Sequence, residues 1–194
     1  MPETVFLGID PSITNTGVVL LGSDGRLLTA YDGKTAKHSV PDTVKGMDSA
    51  FRYMAQTRGI LEEVARFSAG SRVVIGFEDY AFNATHQAFS LGEYGGVLKA
   101  ALADFGREQG AEMHLLAPTH VKKFGAGNGM AAKEEMMRAA VAECPELAEA
   151  SSDVCDAFFM AKIVLYRTDP ALAVAVDRGN PLLRHRLGMA NCKE

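Results

Sequence analysis

The sequence predicts an α/β domain built on a mixed five-stranded sheet with helices packed on it, and three observations predict it. The chain opens with three short apolar, β-branched runs separated by turn residues. Two further runs of that kind stand alone later in the chain. Between and after them, apolar residues recur at helical spacing.

The opening runs are Thr4 to Asp10, Thr16 to Gly22 and Arg26 to Tyr31. Pro11-Ser12 with Asn15 fills the first gap and Ser23-Asp24-Gly25 the second, so the three form an antiparallel meander. Residues Asp32 to Gly46 (DGKTAKHSVPDTVKG) are polar and lack any period, which predicts a loop able to reach a ligand. From Met47 to Phe67 the residues Phe51, Met54, Leu61, Val64 and Ala65 define the apolar side of an amphipathic helix. Arg72 to Phe77 (RVVIGF) is short and rich in Val and Ile, which predicts a buried strand ending on Glu78.

A second helix is expected from His86 to Arg107, with Leu91, Leu98, Leu102 and Phe105 on one stripe and Gly92, Gly95 and Gly96 thinning the other side. A fifth strand, Glu112 to Ala117, stops before Pro118. A loop punctuated by Gly125, Gly127 and Gly129 follows, then helices from Ala131 to Glu143 and from Ser152 to Tyr166. Three antiparallel strands, helix, strand, helix, strand, helix, helix is the element order of the ribonuclease H-like fold. Residues 1–168 make that domain, and 169–194 form a basic C-terminal extension rather than a second domain.

Composition agrees with a single core. At 194 residues, 47% hydrophobic and 23% charged, the chain has the length and balance of one globular domain. No apolar run approaches the roughly 20 residues of a membrane span, and no signal segment opens the chain, so no membrane is expected. Cys144, Cys155 and Cys192 are an odd count without a CxxC pair, which argues against a disulfide framework or thiolate zinc site and for a reducing cytoplasm. The net charge of −4 is unevenly spread. Glu143, Glu146, Glu149, Asp153 and Asp156 follow one another without a Lys or Arg between them, whereas Arg178, Arg184, Arg186 and Lys193 face only Glu194 beyond Arg178. A local basic patch beside an acidic pocket is compatible with nucleic acid despite the negative total.

The acids are the informative residues. Asp10 ends the first strand, Glu78 ends the fourth, and Asp153 and Asp156 sit three apart at the start of the last helix, so a sheet of this order brings all four to one edge. Each has an ordinary explanation taken alone: Asp10 before Pro11 opens a turn, and Asp153 with Asp156 fits the acidic first turn of a helix. Together they would repel one another and need a cation. Carboxylate oxygens suit magnesium, with manganese able to substitute, and two such ions roughly 3.5 to 4 Å apart would support phosphodiester hydrolysis. Asp79 falls on the opposite side of the strand and is expected to be a bystander.

These residues resemble the RuvC-type Holliday junction resolvases and their phage-encoded relatives. GIDPSITNTGVVLL (Gly8 to Leu21) is similar to the first-strand motif GIDPG with its Thr-Gly turn, and EDYAFN (Glu78 to Asn83) to the segment at the catalytic Glu. SLGEYGGVLKAAL (Ser90 to Leu102), THVKKFGAGNGMAAKEEM (Thr119 to Met136) and DVCDAFFMA (Asp153 to Ala161) resemble the long helix, the Gly-rich Val-Lys segment and the closing Asp-x-x-Asp-Ala helix. The resemblance spans Phe6 to Tyr166.

It implies catalytic, metal-binding roles for Asp10, Glu78, Asp153 and Asp156, and phosphate contacts by Lys122 and Lys133; Lys123 keeps the ordinary reading of a solvated surface lysine. It implies a magnesium-dependent endonuclease that resolves four-way DNA junctions and other branched DNA by paired nicks, leaving 5′-phosphate and 3′-hydroxyl ends without a covalent intermediate. Such an enzyme serves DNA recombination, repair or phage DNA processing in the cytoplasm of a bacterial cell or a phage-infected host.

The sequence departs from the pattern at Ser12, where bacterial members have Gly, in the loop between Tyr31 and Met47, and in the residues after Tyr166. The aromatic beside the catalytic Glu is displaced; Tyr80 or Phe82 is a candidate to stack on DNA in its place, with burial in the core an equal alternative for either. RuvC-type enzymes are dimers, which selects the Leu91, Leu98, Leu102 and Phe105 stripe as a homodimer contact rather than a face buried in the monomer.

Three other functions compete. GIDPSITNTG also resembles the Asp-x-Gly-x-Thr phosphate hairpin of actin-like small-molecule kinases, but such a kinase needs a second lobe and leaves Asp153 and Asp156 unexplained. A non-catalytic junction-binding module would not need four acids. A ribonuclease or transposase-like nuclease of the same fold differs in substrate.

Overall fold

The computed structural model describes residues 3–34, 47–79 and 88–172. Tyr80, Phe82, most of the 32–46 loop and residues 173–194 of the extension lie outside them, as does His86, where the second helix was predicted to begin.

Five strands form one sheet in the order β3-β2-β1-β4-β5. They are β1 (Thr4–Asp10), β2 (Asn15–Leu21), β3 (Leu27–Lys34), β4 (Arg72–Glu78) and β5 (Glu112–Leu116). β1 pairs antiparallel with β2, and β2 with β3. β1 and β4 run parallel, as do β4 and β5, so the sheet is mixed as predicted. Helices α1 (Asp48–Ser68) and α2 (Ala88–Gln109) follow β3 and β4, while α3 (Pro118–Ala126), α4 (Lys133–Glu143) and α5 (Ser152–Thr168) follow β5. None of the described helices is long and apolar enough to cross a membrane.

Alternation along the strands divides the core in two. Val5, Leu7, Ile9, Val18, Leu20, Val73, Ile75 and Phe77 pack with Tyr53, Ile60 and Val64 of α1 and Tyr94, Leu98 and Leu102 of α2. Phe6, Val19, Leu21 and Val74 pack on the other face with α3, α4 and α5. α5 is buried on most sides, from Val154 to Tyr166.

Four expectations are corrected. β3 continues to Lys34, because the backbones of Asp32, Gly33 and Lys34 pair with Gly17, Thr16 and Asn15; the loop therefore starts later than its composition suggested. Residues 118–126 are helical rather than loop. Pro118 stands in the first turn, and Gly127, at φ 79° with its N–H donating to Lys123 O, closes the helix.

α1 buries Tyr53, Gln56, Thr57, Ile60, Val64 and Ser68, whereas Met54 is 53% exposed. Its buried face carries polar side chains that find partners. The Gln56 amide donates to Ser12 O, Thr16 Oγ1 and Gly33 O, and Ser68 Oγ donates to Val64 O. Finally, Leu98 and Leu102 of the predicted dimer stripe lie in the core of their own chain, with Phe105 packed beside them.

Candidate active site

Parallel pairing of β1 with β4 sets the end of one strand beside the end of the other: the register runs to Ile9↔Phe77, and the next residues are Asp10 and Glu78. By alternation both face the α5 side of the sheet, with Phe6 and Val74. Asp10 is buried and its carboxyl donates a hydrogen bond to Glu78. Burial, then the charges of Glu78, Asp156 and Asp153, hold Asp10 well above the usual carboxylate range. Glu78 is also raised, mainly by burial, while the bond from Asp10 and the charge of Lys122 pull it down. Both carboxyls are thus held above their ordinary range, chiefly by burial.

α5 brings the other pair. Ser151 is its N-cap, accepting a 3.2 Å bond from Val154 N–H, and Asp153 and Asp156 follow on one side of the first turns. The helix approaches the sheet more closely than side chains would allow. A Cβ at Gly17 would lie 2.0 Å from the Asp153 carbonyl oxygen, and one at Gly8 would lie 1.8 Å from that of Ala157. Helix backbone therefore rests on strand backbone, which sets Asp153 and Asp156 near Asp10.

Asp156 Oδ1 is buried without a hydrogen-bond partner. Burial lifts this carboxyl to about 6; Asp153 adds to the rise, and Lys122 and Lys133 oppose it. Lys133 Nζ stands 3.8 Å from Asp153 Oδ1 and 3.3 Å from Ser152 Oγ, at the exposed rim. Ser152 Oγ itself donates to Asp153 Oδ1 at 3.0 Å. All four predicted acids and both predicted lysines thus belong to one constellation.

The donor set is made of hard carboxylate oxygens, one of them orphaned, which suits a hard divalent cation. Among the described residues, no three acids stand in a geometry that would hold an ion as they are. Closing the site around a cation requires side chains to rotate.

The four-acid reading missed the residues that hold these elements in place. Asp32 Oδ1 accepts bonds from Ser151 Oγ and Asn15 Nδ2. Thr16 Oγ1, beside Gly17, bonds to Ser12 O, the Gln56 amide and the Tyr94 hydroxyl, tying the turn after Asp10 to α1 and α2. Ser151 had a readable signal, a serine directly before an apolar helix. Asp32 had none, since Asp-Gly reads as a turn.

The sequence matches no family model and no curated protein. Solved structures do match. Thermus thermophilus RuvC shares 26% sequence identity at a TM-score of 0.62, with 84% of this chain and 95% of that chain covered. T. thermophilus RuvC in complex with Holliday junction substrate shares 25% identity at a TM-score of 0.57, covering 87% and 94%. The chain has the RuvC-type resolvase fold. Within the RuvC-type fold, the four acids stand at the ends of β1 and β4 and at the start of α5.

Proposed function

We propose that this protein is a magnesium-dependent, structure-specific endodeoxyribonuclease that resolves Holliday junctions by paired nicks. The observation that carries the reading is the convergence of Asp10, Glu78, Asp153 and Asp156, with Asp156 Oδ1 buried and unpartnered, on a fold shared with a RuvC whose structure holds a Holliday junction substrate. An actin-like kinase has no use for Asp153 and Asp156, and a non-catalytic binding module would not retain mutually repelling buried acids.

Asp10, Glu78, Asp153 and Asp156 would hold the magnesium. When bound, the metal neutralises charge on the phosphodiester and activates the attacking water. With a cation bound, the carboxyls of Asp10 and Glu78 would be lowered, their mutual repulsion offset, and Asp156 would gain the partner it lacks. Lys122 and Lys133 receive backbone phosphates beside the acids, as ammonium point charges do. Stacking on opened bases falls to Tyr80 or Phe82. Manganese serves in place of magnesium because the same oxygen donors suit it.

Paired nicks on a two-fold substrate call for a homodimer with two equivalent sites. Leu98 and Leu102 are already buried, so the pairing face of α2 is the opposite side, where Gly96, Ala100 and Ala103 are exposed and Phe89 is 92% exposed. Sedimentation velocity at micromolar concentration should give twice the 20.8 kDa monomer mass. A monomer would remove the dimer but not the nuclease.

The deciding experiment incubates the protein and magnesium with labelled four-way junction, fork, flap, duplex and RNA/DNA hybrid, then maps the nicks. Symmetric cuts in the four-way junction are expected. Preference for the hybrid would make it a ribonuclease of the same fold, and no cleavage of any substrate would overturn the assignment.

A further inference from the structure

We propose that Asp32 is a positioning residue whose carboxylate, acting through the Ser151 hydroxyl, fixes the start of α5 and with it the two acids that α5 brings to the site. The inference rests on the nuclease reading for its catalytic consequence, and on geometry for the rest.

Asp10 of β1 pairs with Gly17 of β2, and Gly17 pairs with Asp32 of β3, so the three form one row across the sheet. Residues of one row face the same side, so Asp32 points, like Asp10, toward α5. It stands two strands from Asp10, about 10 Å at ordinary strand spacing. Its Oδ1 is taken up by two protein donors, Ser151 Oγ and Asn15 Nδ2, rather than left open to an ion. Gly17, between them, leaves room for the backbone of Asp153.

What Asp32 does instead is written in its bonds. Ser151 Oγ donates to Asp32 Oδ1 at 2.5 Å and accepts from Val154 N–H at 3.2 Å. The single hydroxyl proton is thereby committed, and the oxygen is aimed at the helix. A hydrogen bond to a carboxylate polarises the hydroxyl and strengthens its capping bond. Asn15 Nδ2 donates to the same Asp32 oxygen at 2.9 Å and fixes its orientation from β2. The tie joins residues 119 apart in the chain, so it is a tertiary anchor rather than a local cap. Two residues past Ser151 lies Asp153, and three further on lies Asp156. A small rotation of the cap displaces both carboxylates together.

The test uses the full chain and four variants: Asp32→Ala, Asp32→Asn, Ser151→Ala and the Asp32→Ala/Ser151→Ala double. Each is titrated with Mn2+ by calorimetry and assayed for junction nicking across magnesium concentrations. Asp32→Ala is expected to weaken Mn2+ binding about tenfold, the scale of losing a group that orients a ligand, and to raise the magnesium needed for half-maximal nicking in proportion. Ser151→Ala should match it, and the double should lose no more than either single. Asp32→Asn keeps an acceptor oxygen for Ser151 and should restore most of the affinity.

Wild-type Mn2+ affinity in Asp32→Ala, whatever its melting temperature, overturns the proposal. So does a double variant whose loss is the product of the singles, or an Asn variant as impaired as Ala. If Asp32→Ala does not fold, Ser151→Ala against Asp32→Asn and their double decides by the same criteria. A wild-type chain that binds Mn2+ but nicks nothing defeats the nuclease reading and leaves the Mn2+ titrations to judge Asp32.

Discussion

The two ends of α5 each bury a charge, and they treat it in opposite ways. Toward the C-terminal end Lys162, its side chain 14% exposed, meets the carboxylate of Glu143 and lies 5.4 Å from the ring centres of Phe158 and Tyr166. Burial pulls this ammonium down to about 8, and the Glu143 carboxylate stands against it as a counter-charge. Toward the N-terminal end Asp156 is raised to about 6 with one oxygen unpartnered and Asp153 adding to the strain. Burial is common to both. What separates them is direct contact: Lys162 meets its counter-charge, whereas Lys122 and Lys133 act on Asp156 without reaching its buried Oδ1. A buried charge with its partner is architecture; one left without it is a place for something that arrives.

The sharpest way to break this contrast is to neutralise each end in turn. On the proposed function, Asp156→Asn should lower junction nicking by about a thousandfold or more, since a metal's charge stabilisation is worth several kcal/mol. Lys162→Met should nick at the wild-type rate. Equal losses in the two variants would make the two ends alike and defeat the reading.

Next in size is the cost of separating the basic pair. Glu143→Gln leaves Lys162 without its counter-charge and should destabilise the fold by about 2 kcal/mol in a denaturant melt. This is below the roughly 3–5 kcal/mol of a fully buried pair because the Glu143 side chain is 40% exposed. Replacing both by apolar residues should recover most of the loss.

The acidic end should respond in the opposite sense. Asp156 keeps its proton to about pH 6 when folded but only to about 3.8 when unfolded, so its contribution to stability is full below about 4 and lost as pH rises through 6. Metal-free Asp156→Asn should therefore be more stable than wild type at pH 7.5, by up to about 2 kcal/mol, with no difference near pH 4. Magnesium should narrow the gap by stabilising wild type alone. A variant less stable at pH 7.5 would show that Asp156 is satisfied within the fold.

The smallest effect belongs to the rim. Lys133→Ala should reduce the logarithmic salt slope of junction binding by about 0.9, one phosphate contact, and slow nicking modestly. Lys123→Ala should do less. Because the Lys133 side chain is 69% exposed, its pairing with Asp153 adds little to stability, and its melt should be unchanged.

Much of this was legible before any coordinates. The strand ends at Asp10 and Glu78 and the helix start at Ser152 follow from local chemistry, namely β-branched runs, Pro11 and the acidic first turn of an apolar helix, so the acids could be placed on one edge. What required the fold were facts of tertiary choice. The leucine spacing of α2 is the same whether Leu98 meets its own sheet or a second chain, and only packing reveals the former. The polar buried face of α1 hid its phase, because Gln56 reads as surface until its partners at Ser12, Thr16 and Gly33 are known. α3 does carry a signal: Pro118 and Gly127 bracket it as helix start and stop, but Gly125, with Gly127 and Gly129, reads as loop punctuation. Gly125 instead lies close to Phe159, where an added Cβ would come within 2.7 Å of the ring.

The seating of α5 on Gly8 and Gly17 has a consequence for motion. With carbonyl oxygens of Asp153 and Ala157 lying where side chains would otherwise be, the helix cannot lift or slide by repacking a soft layer, because no layer intervenes, and the rotation of its first turn is what the Ser151–Asp32 bond restrains. Opening its first turn means parting it from β1 and β2 at the centre of the sheet, which is the event that unfolds the domain. Amide protons from Val154 to Ala157 are accordingly expected to exchange with solvent only at the rate of global unfolding, and the acids to meet their ligands on a backbone that stays still while side chains alone turn.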